Sequence, residues 1–253
     1  MSKASSINRL AGPLSDVGVG SSITSPSMWL SATEPLRAVF EVANMFARLP
    51  TLLAAPRGDN HTVMVIPGFA TSDLMTQALR NYLSWLGYDT EPWRLGFNTG
   101  YLKLGEDESN LRSRLAELAA RSGDKVSLIG WSLGGVMARQ MAREHPEMVR
   151  RVITLGSPFT GNPKAISIRR LYQLISGESL EDETWRKRFE RDRPAPDVPC
   201  TAIYSPTDGI TAWQNCVEVP AAHTENIEVR GSHLGLTHNP EVLLHIAEIL
   251  ARG

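Results

Sequence analysis

The sequence predicts an α/β fold, a mostly parallel sheet of about six strands flanked by helices, and three observations predict it. From residue 60 onward, short apolar runs alternate with longer stretches of helical periodicity, the alternation that builds a parallel sheet covered by helices. The runs lack polar alternation, which suits strands buried on both faces. With 253 residues, 42% hydrophobic and 21% charged, the chain also carries enough apolar material for one large core.

The predicted strands lie in HTVMVIPG (61–68), a weaker YDTEPWRL (88–95), KVSLIGW (125–131), RRVITLGSP (150–158), PCTAIYSP (199–206) and ENIEVRG (225–231). Helical patterns fall near 73–86, 106–122, 134–144 and 240–252. Residues 1–27, rich in Ser, Gly and Pro without periodicity, read as a mobile arm. Residues 28–59 read as an N-terminal helix and its connection: Leu36, Val39, Phe40, Ala43, Phe46 and Ala47 recur at helical spacing, with Thr33 as cap and Pro35 in the first turn. That stripe is expected to pack on the core, leaving Glu34, Arg37, Glu41, Asn44 and Arg48 as the polar face. The main domain is expected over 60–253. An insertion at about 159–197, holding AISIRRLYQLIS and LEDETWRKRFERDR, is expected to form a helical cap at the sheet edge.

Composition excludes several classes. A formal net charge of −1 gives no electrostatic footprint for nucleic acid. Two cysteines, Cys200 and Cys216, cannot make a disulfide framework or a cysteine-rich zinc site; they either pair once or act as buried thiols, the second being the better reading for Cys200 at the start of an apolar strand. The N-terminus has no apolar stretch for a signal-peptide core and no segment approaches a membrane span, so a cytoplasmic location is expected.

The third strand stops at Gly130-Trp131-Ser132-Leu133-Gly134, and a helical pattern begins at once. A strand–turn–helix context gives this glycine–x–serine–x–glycine motif its meaning, because the turn strains the serine and exposes its hydroxyl at the C-terminal edge of the sheet. Small neighbours relieve the crowding. The other reading is a capping serine with glycines for close helix–strand packing. A serine hydroxyl needs a base to take its proton, and the base needs a carboxylate to hold its tautomer. Asp208 follows the strand PCTAIYSP and His233 follows ENIEVRG, in the required order. Asp208 before Gly209 is also an ordinary turn pair. His238 fits a turn before the last helix, His61 and His223 precede strands, and His145 fits a helix C-terminus.

IYSPTDGI followed by ENIEVRGSHLGL resembles the acid and histidine segments of the small bacterial serine lipases and esterases of the α/β-hydrolase superfamily, and the resemblance covers residues 60 to 252 with the cap as an addition. It implies an α/β-hydrolase fold, with Ser132 as nucleophile, Asp208 as acid and His233 as general base and then general acid. An oxyanion hole needs backbone N–H donors. Leu133, after the nucleophile, supplies one. In VIPGFATSD the second falls on Phe69, with Ala70 the runner-up, although Pro67-Gly68 stands where lipases often carry His-Gly. The competing reading there is a turn into a helix capped by Ser72.

The expected activity is hydrolysis of a small hydrophobic or lipid-like carboxylic ester through an acyl-enzyme, without metal or organic cofactor. Thioester hydrolysis or acyl transfer would use the same residues. Trp93, Phe97, Tyr101, Trp213 and the cap residues Leu171, Tyr172, Leu174 and Ile175 are candidates for an acyl pocket, each with a core-packing alternative. Two other readings stand beside it: a hydrophobic-ligand-binding protein on the same fold, and a phospholipase that contacts membrane surfaces through the helix near 33–49. Oligomeric state is not legible.

Overall fold

Six strands run in one direction: β1 (Thr62–Ile66), β2 (Asp89–Pro92), β3 (Val126–Trp131), β4 (Val149–Leu155), β5 (Cys200–Tyr204) and β6 (Thr224–Glu228). They form a single parallel sheet of order β2-β1-β3-β4-β5-β6 in the computed structural model, which describes residues 23–100, 109–160, 191 and 193–252. Register aligns the carboxyl ends: Ile66 lies opposite Gly130, Trp131 opposite Leu155, and Ile203 opposite both Leu155 and Ile227. The order reverses between β1 and β3, so the loops leaving these two strands diverge over a crevice at that edge, the usual position of a ligand site in such sheets.

The α-helices among the described residues are α1 (Met28–Ala47), α2 (Leu49–Leu53), α3 (Gln77–Leu86), α4 (Ser109–Ser122), α5 (Leu133–Glu144) and α6 (Pro240–Leu250). Side chains alternate across each strand. Met64, Ile66, Leu128 and Val152 therefore face α4 and α5, packing with Leu111, Leu115, Met137 and Met141. Val63, Val65, Ile129, Ile153 and Ile203 face α2, α3 and α6, packing with Leu52, Leu83, Val242 and Ile246. Local chemistry marks several helix ends: Gly87 closes α3 at φ 103°, and Asn239 Oδ1 accepts from Glu241 N at 2.9 Å ahead of Pro240 in α6.

The first helix departs from the expectation in two ways. It begins at Met28, capped by Ser27, whose Oγ accepts from Leu30 N at 3.3 Å; Thr33 lies within it, donating its hydroxyl to Trp29 O, and Pro35 is an interior residue. Its faces are also largely reversed, although Asn44 and Arg48 are exposed as expected. Leu36, Val39, Phe40 and Phe46 are exposed, whereas Glu34 is 1% exposed and Arg37 and Glu41 are turned inward. The physical reason is the surface that α1 covers. Backbone N–H groups of the loops after β5 and β6 face it, and carboxylates, not methyl groups, satisfy them.

Ile23, within the segment expected as an arm, is buried against Ala212. Most of the insertion expected as a cap, with Leu171, Tyr172, Leu174 and Ile175, lies outside the described residues, as do Tyr101 and residues 1–22. Ser72 precedes a 3-10 turn at Asp73–Thr76. Asp73 ties that turn to the end of β2, its carboxylate accepting from Trp93 N and Arg94 N. Cys200 and Cys216 are buried free thiols, and burial pushes Cys200 up to about 12. Among the described residues, no helix is long and apolar enough to cross a membrane.

Candidate active site

Ser132 sits at the junction of β3 and α5 with φ 54° and ψ −123°. A non-glycine residue with positive φ is strained unless its surroundings hold it. Here the Ser132 N–H donates to Leu155 O at 2.8 Å and Ser132 O accepts from Gly135 N at 3.0 Å. Glycines allow the turn to close. A Cβ at Gly130 would lie 2.3 Å from Gly134 O, and one at Gly134 would lie 2.3 Å from Ile66 O. The predicted strand–turn–helix context is thus present, with α5 starting directly after the serine.

Asp208 and His233 come together from loops after β5 and β6. Asp208 Oδ2 lies 2.6 Å from His233 Nδ1, and both side chains are almost wholly buried. The other oxygen, Oδ1, accepts from Ile210 N at 2.8 Å and Thr211 N at 2.7 Å, so the carboxylate cannot rotate away. Burial pushes the His233 imidazole down, but the Asp208 charge and hydrogen bond, with the charge of Glu34, outweigh it and the net shift is upward from 6.5.

Two features connect this pair to the serine turn, and a third joins their loops to each other. The Trp131 indole N–H donates to His233 O at 3.0 Å, and the two rings lie 5.9 Å apart. Gly156 closes the gap beside them: at φ 55°, a Cβ there would lie 3.1 Å from Asp208 Oδ2 and 3.2 Å from His233 Nδ1. Gly156 follows Leu155, whose carbonyl holds Ser132 N. Ser205 Oγ and Thr207 Oγ1 both donate to Gly231 O, pinning the acid loop to the histidine loop.

Of the two candidate oxyanion donors, one follows Ser132 in the chain and the other follows a glycine that packs against it. Leu133 is the first residue of α5, where N–H groups have no intrahelical acceptor. Phe69 is in the loop after β1, where Gly68 passes so close that a Cβ on it would lie 3.2 Å from Ser132 Cβ. The runner-up Ala70 has its N–H committed to Asn98 O at 2.7 Å. Asn98, fully buried, also donates to Pro67 O at 2.8 Å and so braces the loop. Sequence reasoning passed over Asn98 because nothing in its neighbourhood marks a buried amide.

The other candidates fall elsewhere. Trp93 is fully buried in the core, Phe97 is 57% exposed, and Trp213 stacks on Tyr204 at 5.4 Å. His145 caps the C-terminus of α5, and His238 Nδ1 contacts Thr237 Oγ1. His61, at the start of β1, joins an unforeseen second chain of the same residue types: Asp59 contacts its Nδ1, and its Nε2 lies 2.9 Å from Ser127 Oγ. Ser127 is fully buried inside regular β3, at the opposite end of the sheet from Ser132, so this chain satisfies polar groups in a place substrate cannot reach. Among the described residues, no group of three or more His, Cys, Asp or Glu is placed to hold a metal ion.

Comparison with known proteins agrees with this architecture. A family model described as alpha/beta hydrolase fold matches residues 111–222. A solved metagenome-derived lipolytic enzyme superposes with a TM-score of 0.58 at 15% identity, covering 78% of this chain and 96% of its own. A soluble variant of monoglyceride lipase from Saccharomyces cerevisiae gives 0.54 at 16% identity, covering 78% and 90%. Among curated proteins, the biotin biosynthesis bifunctional protein BioHC of Teredinibacter turnerae is 32% identical over 83 residues, 33% of this chain and 13% of that protein. A pimeloyl-acyl carrier protein methyl ester esterase of Aeromonas hydrophila is 43% identical over 53 residues, 21% of each chain. The chain therefore matches less than a quarter of the length of each of these curated relatives.

Proposed function

We propose that this chain, whose residues 111–222 match a family model described as alpha/beta hydrolase fold, is an α/β-hydrolase that cleaves carboxylic esters through an acyl-enzyme on a serine. The observation that carries the reading is the buried Asp208–His233 hydrogen bond of 2.6 Å beside a serine held at φ 54° between a strand and a helix N-terminus. In this reading His233 Nε2 takes the Ser132 hydroxyl proton as Oγ attacks the ester carbonyl. Asp208 keeps the remaining proton on Nδ1 and stabilises the imidazolium. The N–H groups of Leu133 and Phe69 receive the oxyanion, and the dipole of α5 favours the negative charge. His233 then protonates the departing alkoxide. Water, deprotonated in turn by His233, attacks the acyl carbonyl; His233 returns that proton to Ser132 Oγ as the acyl–Oγ bond breaks, releasing the acid and the free serine. No step calls on a metal or organic cofactor.

The proposed substrate is a small hydrophobic or lipid-like ester, and the proposed location is the cytoplasm. Relatives named as a methyl ester esterase, a lipase and a lipolytic enzyme support the ester. A thioesterase domain from a curacin biosynthetic pathway has the same fold at a TM-score of 0.51, in keeping with thioester cleavage as the alternative acyl transfer. Hydrolysis of p-nitrophenyl esters from acetyl to palmitoyl, by wild type and Ser132→Ala, tests the reading. Turnover that vanishes with Ser132 supports it. Turnover that is absent at every length, with stabilisation by a fatty acid, would instead favour a binding protein.

One observation favours action at a lipid surface: the outward face of α1 presents Leu36, Val39, Phe40 and Phe46. Replacing Phe40 and Phe46 by Glu should abolish sedimentation with liposomes and leave turnover of a soluble ester intact. Sedimentation unchanged by both substitutions would reject it.

A further inference from the structure

Glu34 lies almost 200 residues from the histidine in sequence, yet its carboxylate is the point at which three parts of the site meet. Oε1 accepts from Gly209 N at 2.7 Å and from His233 N at 3.0 Å, and Oε2 accepts from Leu234 N at 2.9 Å. Gly209 directly follows the candidate acid, and His233 is the candidate base. Arg37, one turn along α1, donates to Glu34 Oε1 at 2.8 Å and to Thr207 O at 2.7 Å. The approach of α1 leaves no room for side chains here, since a Cβ at Gly209 would lie 2.4 Å from Leu30 O. Glu41, two turns on, accepts from Ser232 N and Ser232 Oγ, both at 2.6 Å. A Cβ at Gly235 would fall 1.3 Å from Glu41 Oε2.

A buried carboxylate holding three backbone N–H groups is costly to desolvate unless each bond is made. Hydrogen bonds to an ionised acceptor are short and directional. The arrangement fixes the backbone on which the acid and the base stand, and it does so from outside the sheet.

We propose that Glu34 is a positioning residue for the hydrolytic site, clamping the loop after β5 to the loop after β6 through Gly209, His233 and Leu234 so that Asp208 and His233 keep their hydrogen bond. The assignment of a reaction to that site rests on the hydrolase reading; the clamp itself does not. Glu34 also contributes negative charge to the surroundings of His233 and favours its protonated form. The groups facing His233 are Asp208 from the loop after β5, Glu34 with Arg37 from α1, and Glu41 through Ser232; in the segment after β5, burial and then the Asp208 charge push the Cys216 thiol up.

The test combines turnover of a soluble p-nitrophenyl ester with an NMR titration of the His233 imidazole, in full-length wild type, Glu34→Gln and Arg37→Met. In Glu34→Gln the amide presents an NH₂ to one of the N–H donors, so kcat should fall between about tenfold and a hundredfold with little change in KM. The His233 titration should move to lower pH. Arg37→Met leaves Glu34 without its cation, and the titration should move to higher pH. A merely structural role would lower activity equally at every pH and move neither titration, and that result overturns the proposal, as would shifts of the same sign in both variants. If Glu34→Gln does not fold, Arg37→Met alone decides by the direction of its shift. If wild type turns over no ester but the His233 Nδ1 proton bonded to Asp208 is lost from the NMR spectrum of Glu34→Gln, the hydrolase reading fails and the clamp stands.

Discussion

The indole N–H of Trp131 donates to the backbone carbonyl of His233 at 3.0 Å, joining the residue before the candidate nucleophile to the candidate base itself. The bond is buried, and it ties the end of the third strand to the loop after the sixth. Trp131→Phe keeps much of the ring but leaves His233 O without this donor. Such a loss costs about 1–3 kcal/mol. The expected result is a lower urea midpoint together with a fall in kcat at nearly constant KM, measured on one soluble ester.

Asp208→Asn should leave the fold intact and remove nearly all activity. Asn Oδ1 can still accept from Ile210 N and Thr211 N, but its NH₂ would face His233 Nδ1 and favour the wrong tautomer. The expected loss in kcat is about 10⁴, with an unchanged circular dichroism spectrum and thermal midpoint as the control. Activity equal to wild type would place the acid elsewhere.

The pH profile of kcat/KM should have an acid limb above the ordinary histidine value of 6.5. Burial alone would hold His233 down, but Asp208 and Glu34 raise it, and only the neutral imidazole accepts the serine proton. The linkage to stability has a definite sign. Because folding raises this pKa, its stabilisation is fully present below 6.5 and is lost as pH rises through the folded value.

His61 should act in the opposite sense. Burial lowers its pKa, with Arg150 and Arg151 adding to the effect against Asp59. Its contribution is present above 6.5 and is lost as pH falls through the folded value. Urea unfolding at pH 7.5 and below 6 should show a smaller acid-induced loss for His61→Gln than for wild type. Equal losses would mean that another group carries the acid sensitivity.

Gly134→Ala should be among the most damaging small substitutions. Its Cβ would meet Ile66 O at 2.3 Å and Pro67 O at 2.7 Å, both backbone atoms that cannot swing aside. Overpacking of this kind costs about 3 kcal/mol. The expected signature is a lower denaturant midpoint with an unchanged m-value.

The sheet was legible because β1, β3, β4 and β5 are apolar runs that end at glycine, proline or serine, and each run marks a strand of the observed sheet. The meeting of Asp208 with His233 was legible from their order after successive strands. The orientation of α1 was not. An apolar stripe ordinarily marks the buried face, but this helix covers backbone donors, and donors leave no trace in a hydropathy pattern. Glu34, Arg37 and Glu41 share one helical face, and that spacing was the available signal; it reads equally well as a solvated stripe. The same inversion changes what a truncation would mean. Deleting residues 1–50 removes Glu34 and Glu41 from the site loops, so such a chain should lose activity on soluble esters as well as any lipid-surface contact.

The measurement that bears most directly on the central claim is the site of modification by a fluorophosphonate, which reacts with an activated serine. The account predicts one adduct per chain, mapped by mass spectrometry to Ser132, forming with the loss of esterase activity and strongly slowed in Asp208→Asn. An adduct on Ser127 or another serine, or activity that survives complete modification of Ser132, would contradict it.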